Sequence, residues 1–516
     1  MSKTINIIDL FAGPGGLGEG FSAFKPKAKK EEGFRIRMSV EKEASAHKTL
    51  SLRALYRHVR DSKDLSCYHE YVEGEISRDA LEAALVDPWK EVLQETLGGP
   101  KALGEDNNVI HKRLHDLKKI HKGEPWVVIG GPPCQAYSLV GRSRNKGVKG
   151  YRPEDDHRHF LYREYLEVLS IIQPDIFVME NVKGILTASV NGEKIFPIIH
   201  SDLKNPSRAV RRNGLRGKEY KIYSFVDLAD KDDVLKGSDY IIRTENYGIP
   251  QARHRVILLG VSKDIDKEPF SLRSSPRVNI EDVLTGLPPL RSRLSKGADS
   301  PSLWKEAIQK QVKSIVIDLK SSGQYDLADH IAATATMLKS DSPVSTKKRP
   351  PNSFCSRLPE DLRGWLSGAA PESVLNHESR SHIATDLGRY FFSASWAECY
   401  SFMENPSPKS DSFPRCLAPA HANWNSGHFS DRFRVQVRGR PATTVTSHIA
   451  KDGHYFIHYD PRQCRSLTVR EAARIQTFPD NYLFEGNRTE QYVQVGNAVP
   501  PFLARQLAEV VWKLIK

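Results

Sequence analysis

The thiol of Cys134 is the side chain of this sequence best placed to act as a nucleophile. It lies in the string GGPPCQAYS, shortly after the apolar run 126–129. That run is short and β-branched, without polar alternation, which predicts a parallel strand buried on both faces. Pro132 and Pro133 each fix φ, and the glycines before them let a backbone or ligand approach closely. The thiol is therefore expected on a stiff loop at the carboxyl end of a strand, where open parallel sheets bind substrates.

A carboxylate, that of Glu180, is predicted to lie beside this thiol. It ends a second apolar run, which begins at Ile176, and the amphipathic stretch 160–172 precedes that run. Strand, helix and strand in this order form a βαβ unit, so the two strands are parallel and end at the same edge. A lone cysteine is most often a small buried apolar residue. The neighbouring carboxylate is what favours a catalytic interpretation of Cys134.

Two arginines are expected at the same edge. Arg253 and Arg255 are two residues apart, so on a strand their side chains point to one face. Such a pair is most often solvated. Here it comes directly before the apolar run 256–259, which places it at the end of a buried strand.

The overall composition indicates a basic, reduced, intracellular protein. Lysine and arginine number 76 among 516 residues, against 63 aspartates and glutamates, and the net charge is +13. This excess favours an anionic partner, most often a nucleic acid. The six cysteines form no CxxC pair and no zinc spacing, so no metal site is expected. The polar start and the absence of a long apolar run predict a cytoplasmic protein without a membrane segment.

A glycine-rich loop follows the first apolar run of the chain. Gly13 to Gly18 matches GxGxxG, and Glu41 follows another strand-like run about twenty residues later. This arrangement is the fingerprint of a dinucleotide site. On this motif alone, an NAD-dependent oxidoreductase is a serious alternative.

Taken together, the motifs resemble those of the cytosine-5 DNA methyltransferases. The strings that carry the resemblance are DLFAGPGGLGEGF at 9–21, PPCQ around Cys134, ENV from Glu180, QARHR ending at Arg255, RPATTV at 440–445 and GNAVPP at 496–501. The resemblance implies an α/β fold. It consists of a Rossmann-like, S-adenosylmethionine-dependent methyltransferase domain and a smaller, irregular target-recognition domain.

The resemblance also implies roles for the four candidate catalytic residues. Cys134 would add to C6 of a flipped cytosine, which makes C5 nucleophilic enough to take a methyl group. Glu180 would hold the ring at N3 and the exocyclic amine. Arg253 and Arg255 would brace the glutamate and the cytosine carbonyl.

The implied cofactor is S-adenosylmethionine, held by the glycine-rich loop. Phe11 would lie beside the adenine, and Glu41 would hold the ribose hydroxyls. The acid of the third motif, which meets the adenine amine, corresponds to Glu75, although many members have aspartate there. The residues implied to contact the cofactor are Phe11, Gly13, Gly15, Gly16, Glu41, Glu75, Ile76, Pro133, Leu161, Asn497, Ala498 and Val499.

A basic loop after Cys134 is a candidate for contact with DNA phosphates. Arg142, Arg144, Lys146 and Lys149 alternate there with glycines. A basic, glycine-hinged loop beside a nucleophile could close over a phosphate backbone. An ordinary charged surface loop is the alternative.

The predicted domains follow from the motif positions. Residues 1–261 form the catalytic domain, 262–438 the target-recognition domain, and 439–516 return to the catalytic domain. Members of the family normally have few residues between the third motif and PPCQ. Residues 77–125 are therefore an insertion, and we expect a solvated surface excursion there. Thr468 and Glu471 predict a capping box that opens a helix.

The predicted activity is that of a monomeric modification enzyme acting on double-stranded DNA. A restriction endonuclease would be its functional, not its physical, partner. The same chemistry on tRNA stays open as an alternative, as does a non-catalytic nucleic-acid binder with this fold.

Overall fold

The computed structural model describes residues 4–26, 32–133, 158–190, 192–210, 217–227, 236–339, 341–350, 354–368, 370–418 and 432–516. The chain forms two compact units. The first comprises Met1–Tyr247, Arg253–Pro276 and Ala498–Lys516, and the second comprises Gly248–Ala252 and Arg277–Asn497. The functional boundaries proposed from the motifs stay predictions.

The strands and helices are numbered in chain order. The strands are β1 (Thr4–Leu10), β2 (Gly33–Val40), β3 (Trp126–Gly130), β4 (Ile176–Val182), β5 (Ser189–Val190), β6 (Glu193–Lys194), β7 (Tyr220–Ser224), β8 (Ile241–Arg243), β9 (Gln251–Ala252), β10 (His254–Ser262), β11 (Arg293–Leu294), β12 (Ser381–His382) and β13 (Ala442–Thr443). The α-helices are α1 (Gly16–Ala23), α2 (Ala44–Val59), α3 (Leu65–Glu73), α4 (Arg78–Ala84), α5 (Val86–Glu95), α6 (Asn107–Ile120), α7 (Arg158–Ile172), α8 (Ile195–Lys204), α9 (Pro206–Ala209), α10 (Ile280–Leu284), α11 (Pro301–Ser321), α12 (Tyr325–Thr336), α13 (Glu360–Ser367), α14 (Ala384–Cys399), α15 (Val469–Ile475), α16 (Arg488–Asn497) and α17 (Pro501–Ile515).

The first unit is built on a seven-stranded sheet in the order β2-β1-β3-β4-β10-β7, with β8 also paired to β10. Strands β2, β1, β3 and β4 pair in parallel, whereas β10 runs antiparallel to β4, β7 and β8. The predicted parallel pairing of the two candidate catalytic strands is confirmed, with Gly130 opposite Met179. The α/β fold class is also confirmed.

Close helix packing joins the two ends of the chain within the first unit. Helix α1 packs on α17. A Cβ on Gly20 would overlap the carbonyl oxygen of Pro501 and the Cβ of Ala504. A larger residue at position 20 would therefore push the helices apart.

The stretch 77–125 is not the solvated excursion that the sequence predicted. Helix α6 packs on α7, and Ile110, Leu114 and Leu117 belong to the same buried cluster as Trp126 of β3. Their spacing of four and three residues gives the helix one apolar face. Helix α6 of this stretch therefore contributes to the core of the first unit.

The second unit contains more regular secondary structure than the sequence predicted. Its core contains α11, α12 and α14, and Trp304, Ile308 and Ile315 of α11 are fully buried. These residues recur at helical spacing, a signal that the many prolines and serines of this region obscure.

Buried ion pairs hold the second unit together around helix α15. The predicted capping box between Thr468 and Glu471 is present. Burial raises the pKa of the Glu471 carboxyl, but the guanidinium of Arg465, 2.6 Å away, outweighs it and holds the pKa well below its usual range. Burial likewise raises the pKa of the Asp480 carboxyl, but the guanidinium of Arg474 outweighs it and holds that pKa well below its usual range. Arg474 Nη2 lies 2.6 Å from Asp480 Oδ2.

Removing the charge of Arg474 should therefore destabilise the second unit strongly. We expect Arg474→Met to lower the free energy of unfolding by about 3–5 kcal/mol, because it leaves a fully buried carboxylate with weaker compensation. The control is Arg357→Met. Arg357 also pairs with an aspartate, Asp282 at 2.7 Å, but its side chain is 66 % exposed. That change should cost far less, because solvent screens an exposed ion pair. Equal losses in denaturant unfolding would contradict this account.

In the part of the chain that the structure covers, none of the helices combines the length and apolar character needed to cross a bilayer.

Candidate active site

The glycine-rich loop leaves β1 in a conformation that ordinary residues rarely adopt. Phe11, Gly13 and Gly15 have φ values of 54°, 57° and 99°. The Ala12 N–H donates to the Val40 carbonyl, which fixes the loop against the end of β2. Left-handed conformations are readily available to glycine, so Gly13 and Gly15 allow this turn at little cost.

Glu41 is bound to this loop through its carboxylate. Its Oε2 accepts the Gly13 N–H at 2.7 Å, and its Oε1 accepts the Glu43 N–H at 2.7 Å. Burial raises the pKa of the Glu41 carboxyl, while these backbone donors oppose the shift. The carboxylate therefore has a fixed orientation at the carboxyl end of β2, where the sequence predicted an acid.

The loop also meets the last two residues of GNAV, Ala498 and Val499. A Cβ on Gly16 would overlap the Val499 carbonyl oxygen and would lie 3.3 Å from the Cβ of Ala498. The structure thus brings three of the predicted cofactor residues together within the first unit. Asn497 is the last residue of α16 and belongs to the second unit.

Two apolar residues predicted at the cofactor site belong to the main core of the first unit. Leu161 is 8 % exposed within it, and Phe11 packs against the same cluster. Their contacts with a cofactor stay predictions.

Glu75 does not lie at a strand end. It is exposed, directly beyond the residue that caps α3, and Ile76 is half-buried. The segment that contacts the backbone of Glu41 is the one around Lys101, whose N–H donates to the Glu41 carbonyl at 2.9 Å. Sequence reasoning missed this segment, although the break Gly98-Gly99-Pro100 before it was visible. The cofactor role of Glu75 and Ile76 stays a prediction.

The loop before Cys134 lies directly against Glu180. A Cβ on Gly131 would stand 2.8 Å from Glu180 Oε2. The buried Asn181 side chain donates from Nδ2 to the Pro132 carbonyl at 3.1 Å. Pro133, the last described residue of this loop, is half-buried. Cys134 and the basic residues Arg142, Arg144, Lys146 and Lys149 lie outside the described residues.

The two arginines extend this site from β10 and the residue before it. Arg255 Nε lies 2.9 Å from Glu180 Oε1, and the two side chains are only 13 % and 14 % exposed. Arg253 is 1 % exposed, and its N–H donates to the Thr244 hydroxyl. Burial lowers the pKa of the Arg253 guanidinium, and the charge of Arg255 lowers it further, while Glu180 opposes both. The structure therefore gathers two buried cations around one carboxylate.

Comparison with known proteins decides the family. The family model described as C-5 cytosine-specific DNA methylase matches residues 93–208 and 236–513. This chain belongs to that family. The match also decides against the nicotinamide alternative that GxGxxG had left open.

Similar proteins include a type II methyltransferase, M.Bpa9945I of Bacillus paralicheniformis. It is 31 % identical, with 99 % of each chain covered. The DNA (cytosine-5-)-methyltransferase M.ApeKI of Aeropyrum pernix is 27 % identical over 75 % of this chain and 81 % of its own. A further similar structure is a crystal structure assigned as a prophage-encoded DNA modification methyltransferase from E. coli. It has a TM-score of 0.53 and is 20 % identical, with 99 % of each chain covered, and this likeness supports the fold. The methylase is accordingly an enzyme of restriction-modification type.

Asp9 is a buried acid of the methylase that sequence reasoning did not single out. It is 1 % exposed at the end of β1, and a Cβ on Gly18 would stand 2.7 Å from its Oδ2. Burial raises the pKa of Asp9 to about 8; Arg57 opposes the shift, whereas Glu95 and Glu41 add to it. The carboxyl under the glycine-rich loop is thus mainly protonated at neutral pH.

Asp9→Asn should remove a pH dependence of stability. A carboxyl whose pKa rises on folding stabilises fully below its unfolded pKa of 3.8, and this contribution is lost as pH rises through about 8. The free energy of unfolding of the wild type should fall relative to Asp9→Asn by up to about 1.4 kcal/mol per pH unit over this window. Denaturant unfolding at several pH values measures this. Parallel stability curves for the two proteins would show that Asp9 does not titrate in this way.

Gly131→Ala should abolish methylation while the protein remains folded. The added Cβ would overlap the carboxylate that Arg255 holds, so either the loop or Glu180 must move. We expect a loss of at least about 100-fold in kcat, since displacement of reacting groups by about 1 Å has this effect. Gly364→Ala is the control, because a Cβ there meets no atom within 4 Å. Near wild-type turnover of Gly131→Ala would show that the close approach is unimportant.

Proposed function

We propose that the methylase transfers a methyl group from S-adenosylmethionine to C5 of a flipped cytosine in a specific duplex DNA sequence. The reaction passes through a covalent bond between Cys134 and C6. The observation that carries the proposal is the ion pair between Arg255 and Glu180 beside the Gly131–Pro132 backbone. It supports a fixed carboxyl group beside Gly131, which comes only three residues before the proposed nucleophile in the sequence.

The proposed chemistry begins at Cys134. Its thiolate forms a bond to C6, and the electron pair of the C5–C6 double bond becomes available at C5. C5 then bonds to the methyl group as the bond between that group and the donor sulfur breaks, and the electron pair of that bond stays on sulfur. A base takes the C5 proton, the bond from Cys134 to C6 breaks, and the thiolate is regenerated. A free cysteine has a pKa of about 8.5, so proton removal from the thiol must accompany or precede attack.

Glu180 and the arginines would control charge on the ring. The Glu180 carboxyl would bind N3 and the exocyclic amine, which holds the ring and stabilises the charge that develops there as the thiolate adds to C6. Arg255 would orient this carboxyl through its 2.9 Å ion pair. Arg253 would add a second buried positive charge at the same edge. Preorganised charges of this kind stabilise a transition state without reorganising during the reaction.

The residues around the glycine-rich loop fit S-adenosylmethionine, which would supply the methyl group when bound. Gly13 and Gly15 adopt left-handed conformations, and a Cβ on Gly16 would overlap the Val499 backbone. The bare backbone at Gly13 and Gly15 can come close to a ligand, whereas the missing Cβ of Gly16 lets Val499 pack against the loop. The oriented Glu41 carboxylate offers acceptors for the ribose hydroxyls.

We further propose that the substrate is duplex DNA and that residues 262–438 read its sequence. The reacting atoms lie inside the stacked duplex, so the cytosine must leave the helix at a cost of a few kcal/mol. Groove and phosphate contacts would offset this cost. The methylase would act as a monomer that protects DNA from a separate restriction endonuclease.

The decisive test uses 5-fluorocytosine at the target position. Fluorine at C5 cannot leave as a proton does, so the Cys134–C6 bond should persist after methyl transfer. Duplex with this base and S-adenosylmethionine should give a denaturation-resistant adduct, which mass spectrometry would locate on Cys134. Cys134→Ala should give none, and Glu180→Gln should form it at least about 100-fold more slowly.

The matched control for this test is Cys416→Ala, which removes an exposed free cysteine. It should form the adduct as the wild type does. An adduct on another cysteine, or wild-type turnover in Cys134→Ala, would overturn the mechanism. An adduct with tRNA but not with duplex would keep the chemistry and change the substrate.

A further inference from the structure

Two arginine–tyrosine pairs lie on adjoining backbone segments of the second unit. The Arg434 Cζ is 5.8 Å from the centre of the Tyr455 ring, and the Arg438 Cζ is 4.8 Å from that of Tyr459. Each arginine is separated from its tyrosine by the same number of residues. The proposed methyl transfer assigns none of these residues a role.

The parallel pairing of the two backbone segments explains why an arginine lies beside a tyrosine twice. The Arg434 N–H donates to the His454 carbonyl at 2.9 Å, and the Ile457 N–H donates back to the Arg434 carbonyl at 3.1 Å. Val435 and Ile457 form a parallel bridge. Because the two segments run in the same direction, a step of four residues along both brings a second arginine beside a second tyrosine.

The arginines lie on the outer side of this arrangement. Phe433 and Val435 are 3 % and 1 % exposed and belong to the core of the second unit. Arg434 is half-buried and Arg438 is exposed. Burial of these apolar residues therefore fixes the backbone, and Arg438 is the more exposed of the two arginines.

The guanidinium of Arg438 lies over the Tyr459 ring and forms no ion pair with a carboxylate of the described residues. The Glu281 carboxylate lies close by but accepts the backbone N–H of Gly439. The Tyr459 ring is stacked on His458, with a centroid distance of 4.5 Å and an angle of 28° between the planes. Contact with the aromatic face restricts the guanidinium and leaves its N–H groups available to an anion.

We propose that Arg434 and Arg438 form a phosphate-binding strip for the substrate DNA. The proposal rests on the proposed function and specifies how the second unit binds the duplex. Four residues of extended backbone span at most about 14 Å, so both arginines can meet the backbone of one duplex. Each guanidinium group can bind a phosphate. Phosphate contacts of this type position a protein on DNA without reading sequence.

The test measures duplex binding by fluorescence anisotropy over a range of salt concentrations. Arg434→Ala and Arg438→Ala should each weaken binding about tenfold, the effect of one charge-assisted hydrogen bond, on methylatable and scrambled duplexes alike. Each should also reduce the slope of log affinity against log salt by about 0.9. Arg438→Lys should restore the slope but not the full affinity, because lysine retains the charge without the planar, bidentate donor group.

Arg293→Ala is the matched control in the same unit. Arg293 is 44 % exposed, but it lies 3.6 Å from Glu378, a carboxylate that it shares with Arg488, so an anion already faces its guanidinium. It should bind duplex as the wild type does. Thermal unfolding and calorimetric binding of S-adenosylmethionine should be unchanged in all these variants, which separates loss of DNA contact from loss of the fold.

Wild-type affinity and salt slope in Arg434→Ala and Arg438→Ala would overturn the strip. A loss confined to the methylatable duplex would also overturn it, since that result indicates base contacts instead. If the wild type formed the Cys134 adduct but these variants bound normally, only the strip would be wrong. If the wild type bound no duplex at all, the proposed function would fail together with the strip.

Discussion

The close approach of the Gly131–Pro132 backbone to the Glu180 carboxyl is the constraint on which the candidate site depends. It requires a residue without a Cβ at position 131, because that atom would stand 2.8 Å from the carboxylate. The Asn181 amide then binds the Pro132 carbonyl, and Arg255 holds the other carboxylate oxygen. These contacts exist because β3 and β4 are adjacent and parallel. The βαβ connection therefore sets the geometry on which the catalytic hypothesis relies.

Buried acids in this protein have two different electrostatic outcomes. In the second unit, Asp480 and Glu471 face guanidinium groups at 2.6 Å, and attraction outweighs the cost of burial. For Asp9 in the first unit, no guanidinium lies this close among the described residues, and burial dominates its pKa. The first arrangement braces a helix through charge, whereas the second places a mainly neutral carboxyl beneath the glycine-rich loop. The direction in which the pKa of a buried acid shifts can thus be judged only together with the distance to the nearest cation.

The sequence predicted the candidate site better than it predicted the surroundings of that site. Strands β3 and β4 are buried apolar runs whose pairing follows from the helix between them, so the position of Glu180 beside the Cys134 loop could be inferred. The hydrogen bond of Asn181 and the packing of Ile110 against the core depend on tertiary contacts that no local pattern specifies. The helices of the second unit did have a signal, in the spacing of Trp304 and Ile308, but frequent prolines and serines outweighed it in the interpretation.

The stretch 77–125 acquires a physical role once its contacts with the glycine-rich region are considered. Glu95 at the end of α5 forms a buried ion pair with Arg57 of α2, and both charges act on Asp9. Further along, the Lys101 N–H binds the carbonyl of Glu41, whose carboxylate in turn binds the Gly13 N–H. A continuous set of contacts therefore links this stretch to the loop expected to hold the cofactor. Because rigid hydrogen bonds of Glu41 connect the two, changes in 95–101 should affect the loop more directly than equally conservative changes on the exposed face of α4.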